Sequence, residues 1–100
     1  MPLFVLHHQH DADRCPAQDP QAAAMLLAHL APDNASSYGV TIQSHGVIDG
    51  QHTLYAIAEA SDQEALQRFA APFAQAGSVE VLPASLCEAV VARGGCAVPA

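Results

Sequence analysis

The residues of this chain with most chemistry to offer are its histidines and cysteines. Near the N-terminus stands His7-His8-Gln9-His10, followed closely by Asp11, Asp13 and Cys15. On an extended strand successive side chains alternate faces, so His8 and His10 project together and His7 projects from the other side. An H-x-H pair of this kind can present two imidazole nitrogens to one metal ion. The neighbouring groups widen the choice: imidazole with thiolate suits zinc or copper, and imidazole with carboxylate suits iron or nickel. The same residues also make an ordinary solvated strand end, and six histidines in 100 residues leave room for chance clustering.

A second pair is His45 and His52, which flank Asp49-Gly50. That dipeptide favours a two-residue type I′ hairpin. In that register Ile48 opposes Gln51, Val47 opposes His52 and His45 opposes Leu54. His45 and His52 then become diagonal neighbours on one face, close enough to share an ion. They also read as two plain histidines beside a turn. Cys15 lies a few residues before an expected helix start, where the positive end of the helix favours a thiolate ligand or nucleophile. Cys87 falls in the first turn of a later helix and reads more simply as a small buried apolar residue. Cys96, beside two glycines, reads as incidental and part of a mobile tail.

The elements that must hold these residues follow from local pattern. Pro2 to His8 is an apolar run of strand length. Asp19-Pro20 marks a helix start, with Asp19 capping and Pro20 in the first turn. This helix runs to about Ala31, shows Met25, Leu26 and Leu30 on its apolar side, and ends at Pro32-Asp33-Asn34. Tyr38 to Ile48 and Gln51 to Ala60 read as the hairpin strands. Ser61 and Glu64 form a capping box for a second helix carrying Leu66, Phe69 and Phe73, in which Pro72 is a kink or a stop. Gly77 fits the C-terminal cap of that helix. Val79 to Leu82 is a short strand closed by Pro83, and a second capping box at Ser85 to Glu88 opens a short last helix that stops at Gly94-Gly95.

Composition narrows the partners. The formal net charge is −7, with only three arginines or lysines. Such a balance repels a phosphate backbone, and Arg14, Arg68 and Arg93 are scattered, which argues against nucleic acid and against a basic membrane-surface helix. The N-terminal apolar run is too short for a signal peptide or a membrane span. Three cysteines without a C-x-x-C spacing point to free thiols in a reducing cytoplasm. No serine sits in a nucleophile elbow, and there is neither a phosphate loop nor a dinucleotide fingerprint.

The whole chain, residues 1–100, therefore reads as one α+β domain in the order strand, helix, strand, strand, helix, strand and a short C-terminal helix. This is the ferredoxin-like βαββαβ pattern. The first and third strands are expected to run parallel, which would put His8 and His10 near Glu59 and Tyr38, far from His45 and His52. Both strands are apolar on both faces: Leu3 and Val5 oppose Phe4 and Leu6, and Leu54, Ala56 and Ala58 oppose Tyr55 and Ile57. Two helices cover one face only, so the other calls for a second subunit packed sheet to sheet. In that element order the chain resembles the dimeric α+β-barrel superfamily, in particular its small bacterial members of undescribed function. The resemblance implies a homodimer. It covers nearly the full length but rests on no diagnostic motif, and no functional residue carries over.

Two chemical functions compete, beside a third reading as a regulatory or interaction module that does no chemistry. One is a small cytoplasmic protein that binds a transition metal ion (Cu, Ni, Zn or Fe) for storage, delivery, detoxification or simple redox work. Its candidate ligands are His8 and His10, then Cys15, His7, His45 and His52, with Asp11 or Glu59 in support. The other is an enzyme of the monooxygenase or isomerase type, holding a small molecule in the barrel lumen with histidine as base and Tyr38 or Tyr55 as donor.

Overall fold

The structure, a computed structural model, describes residues 2–97. Four strands form one sheet: β1 (Leu3–His10), β2 (Val40–Ile48), β3 (Thr53–Ala60) and β4 (Gly77–Ala84). Their spatial order is β2-β3-β1-β4, and every neighbouring pair is antiparallel. Helices α1 (Pro20–Leu30), α2 (Pro32–Ser37), α3 (Gln63–Ala74) and α4 (Cys87–Arg93) complete the chain. The ferredoxin-like α+β class is as expected.

The core forms where α3 meets the sheet. Leu66, Phe69, Ala70 and Phe73 recur at helical spacing and are all buried, against Phe4 and Leu6 of β1 and Leu54, Ala56 and Ala58 of β3. Asp62 starts this helix by accepting a hydrogen bond from the Ala65 amide, not Ser61 as the capping box suggested. Pro72 sits within the last turn, where the helix simply ends at Ala74. Helix α1 is a poorer fit. Asp19 caps it as expected by accepting from Gln21 N. Of its apolar residues only Leu30 is buried, Leu26 is half-buried and Met25 is exposed. Four alanines supply little area, so α1 stands off the sheet and leaves space beneath it. Pro32 opens α2 instead of ending the helical region, because proline suits a first helical turn.

Several expectations change. Strands β1 and β3 are antiparallel, with Leu3 facing Glu59 and His8 facing Leu54. The helical crossover returns β2 parallel to β1, and the hairpin then turns β3 back between them, antiparallel to both. The hairpin loop has four residues, Asp49 to His52, so Val47 faces Leu54 and His45 faces Ala56. Gly50 at φ 76° and His52 at φ 51° provide the left-handed positions. The separation that kept His45 beside His52 is thereby lost. Gly77 opens β4 with no positive φ, and β4 continues through Pro83 because it is an edge strand. At the far end, α4 has Leu86 as an N-cap without a side-chain hydrogen bond, and Gly94 at φ 87° ends it. Of the tail read as mobile, residues 98–100 lie outside the described residues.

The other face of the sheet carries Val5, Tyr55, Ile57 and Leu82, cross-strand neighbours in the pairs Val5–Ile57 and Val5–Leu82. Tyr55 and Ile57 are each 41% exposed, so the two-sided apolar character of the strands is real.

Gly50→Val is expected to destabilise the domain by about 1–2 kcal/mol, the cost of a side chain in the left-handed region. A Cβ there would meet nothing within 4 Å, so the penalty is conformational. An unchanged urea midpoint would refute it.

Candidate metal centre

The antiparallel register carries β1 past its last pair with β3. His10 N donates to His52 O at 3.1 Å, so these two residues pair one step beyond Gln9–Thr53. Cross-strand partners share a face. The rings lie edge to face with centroids 5.3 Å apart. The chain leaves β1 through a 3₁₀ turn over Ala12–Arg14, and a second over Pro16–Gln18 follows. Between them Cys15 is brought back over the strand end. One ring nitrogen each of His10 and His52 and the Cys15 sulfur lie within 4.8 Å of one another, and all three residues are half-buried. Ligands of a tetrahedral zinc site stand roughly 3.3–3.8 Å apart.

Both ring nitrogens of His10 are buried and have no hydrogen-bond partner. An imidazole in that state lacks the hydrogen bonds that such groups nearly always make. Burial lowers its pKa below the ordinary 6.5, the charges on His8 and His52 lower it further, and Asp11 partly opposes them. The neutral ring that a metal requires is thus the favoured form.

His8 projects from the same face as His10, as strand alternation requires, with ring centroids 5.4 Å apart. It is buried against Phe73, and its Nδ1 donates to Ser78 O at 2.9 Å. That bond leaves Nε2 with the lone pair. His8 stands beside the three-residue group but outside it. Desolvation lowers its pKa, helped by the charge on His7 and opposed by the Ser78 hydrogen bond. His7 lies on the opposite face, its ring tilted against Tyr55 and bonded to Glu80 Oε1 at 3.2 Å. His45 is exposed on edge strand β2, away from the cluster. Glu59 pairs with Leu3, at the other end of β1 from His10, and its carboxylate accepts from Gln43. Cys87 is exposed, not buried, because α4 buries none of its residues.

His29 carries no sequence signal beyond a place next to Leu30. Its Nε2 donates to Phe69 O at 2.7 Å, its Nδ1 accepts from Asn34, and its ring stacks on Phe69 with centroids 4.4 Å apart. Both nitrogens are occupied, so His29 fastens α1 to α3 and has no lone pair for a ligand.

The lowered pKa values of His8 and His10 have a thermodynamic consequence. The unfolded chain takes up protons near pH 6.5 that these folded residues refuse. Their contribution to stability is therefore complete above that value and is lost as pH falls below it. The melting temperature of metal-free protein should drop between about pH 7 and about pH 5, and less so in His8→Gln. A flat or rising midpoint would contradict the burial of these rings.

Fold and site together define a ferredoxin-like α+β domain with histidine and cysteine side chains gathered at one end of its sheet. The chain belongs to the family DUF3303, a domain of unknown function, whose family model matches residues 2–95. No curated protein and no solved structure matches it significantly. Among the described residues no helix is long and apolar enough to cross a membrane.

Proposed function

We propose that this protein binds one transition metal ion through His10, Cys15 and His52, with His8 beside them. The observation that carries this reading is the half-buried His10, whose two ring nitrogens are buried without partners, beside a thiol and a second imidazole. Two imidazoles and a thiolate favour zinc or copper over iron or nickel, and disfavour Mg²⁺ and Ca²⁺. Three protein ligands leave a coordination position open, unlike a closed structural zinc site. An exchangeable ion suits storage or delivery, and free thiols suit a cytoplasmic setting. Titrating tag-free apo-protein with Zn²⁺ and Cu⁺ tests the reading: one equivalent should bind, and no binding would end it.

The open sheet face supports a homodimer packed sheet to sheet, as in a dimeric α+β barrel. Val5, Tyr55, Ile57 and Leu82 would form its centre, flanked by the polar His7–Glu80 pair. The interface should bury more than about 1,000 Å² in total. Light scattering at micromolar concentration should give twice the chain mass, and a clean monomer would sink the dimer.

A further inference from the structure

The space beneath α1 is a cavity of two lobes. The first, about 220 Å³, has Leu26, Leu54 and Phe73 in its wall and His10, Cys15 and His52 at its end. The second, about 300 Å³, is walled by Met25, Leu26, Pro72 and Phe73, and Arg14 borders it. His8, Pro16, Leu26 and Phe73 line both, so the lobes adjoin.

We propose that the second lobe binds a small apolar carboxylic acid, with its carboxylate on Arg14 and its hydrocarbon body on Leu26 and Phe73. The walls supply the apolar half of the argument. Water in such a space finds few partners, and an apolar group that displaces it gains free energy. The lobe's size fits an acid of benzoate or octanoate scale and not a long-chain lipid.

The polar half rests on which donors are free. His29 has both ring nitrogens engaged, and His8 Nδ1 is given to Ser78 O. Arg14 spends one Nη1 hydrogen on Gln75 O at 3.3 Å, and among the described residues no carboxylate forms a salt bridge with it. Its remaining donors keep the planar fork that matches one carboxylate. One guanidinium suits a monoanion better than a phosphate, which needs more donors.

Charge makes the placement selective. The chain is at −7, and its two other cations are placed elsewhere: Arg93 is bonded to Ser85, Gly95 O and Cys96 O, while Arg68 is exposed on α3. Repulsion from carboxylates beyond about 8 Å is screened at physiological salt, so Arg14 acts as the local cation at the cavity, with Asp11 and Asp13 of the same turn as the carboxylates that oppose it.

This inference does not depend on the metal, so it is tested on metal-free full-length protein. Octanoate and phenylacetate are titrated with amide chemical shifts as readout, with octanol and octylamine as controls. Both acids should bind saturably, with Kd on the order of 0.1–1 mM, shifting Leu26, Phe73 and Arg14. Octylamine should bind at least about tenfold more weakly. Arg14→Gln, a change at an exposed residue, should weaken the acids about tenfold and leave octanol within about twofold. No saturable binding of either acid, equal binding of octylamine, or an Arg14→Gln variant that still binds both acids normally would each overturn the proposal.

Discussion

His10→Leu is expected to remove high-affinity Zn²⁺ and Cu⁺ binding and leave the apo-protein at least as stable as the parent. The two halves of this result come from one fact. Both His10 nitrogens are buried without partners, and an unsatisfied buried polar group costs about 1–3 kcal/mol. An apolar replacement of similar reach relieves that cost. A histidine held for packing alone would behave in the opposite way. Loss of one ligand of three should weaken binding by at least about a hundredfold, near 2.7 kcal/mol. Cys15→Ser and His52→Ala should follow within about tenfold of that loss, and Cys15→Ser should also erase the thiolate charge-transfer band of the Co²⁺-loaded protein. His8→Ala should cost less. His7→Ala and His45→Ala should cost nothing measurable, since both side chains lie away from the cluster. Calorimetric titration gives the order. Undiminished binding in His10→Leu would show that the cluster is only a strand end.

Gly77→Ala should be the most damaging single methyl in the sheet. Gly77 faces His10 where β4 pairs with β1. A Cβ there would sit 2.8 Å from the His10 Cα and 2.9 Å from the Gln9 carbonyl carbon, and nearer still to the Gln9 oxygen. These are backbone atoms and cannot rotate away. Either the edge strand separates or the end of β1 shifts, so the change should cost about 2–3 kcal/mol, in the range of overpacked sites. Because His10 is the residue displaced, metal affinity should fall with stability. A wild-type urea midpoint for Gly77→Ala would mean that β4 joins the sheet only after this residue.

Much of the architecture was legible because it is local. The apolar runs, Asp19-Pro20, the helical spacing of Leu66, Phe69 and Phe73, and Gly94 as a stop each act within a few residues, where sterics and capping dominate. Alternation along β1 likewise separates His7 from His8 and His10 correctly. Local pattern failed where two signals compete over the same turn. Asp49-Gly50 does contain a left-handed glycine, but His52 takes a second left-handed position and lengthens the loop by two residues. Length alone moved His45 away and freed His52.

The sequence by itself thus nominated the candidate ligand types and, on β1, set His8 and His10 on the face opposite His7. Only the tertiary structure decided which of them meet. Strand pairing is a long-range contact whose direction no window of residues contains, and reversing β3 relative to β1 exchanges Glu59 for His52 as the neighbour of His10. Cys15 joins them because two 3₁₀ turns fold the chain back over the strand end, a path set by loop conformation and not by spacing. The same holds for Gly77, whose missing side chain answers to a neighbouring strand some seventy residues away in the chain.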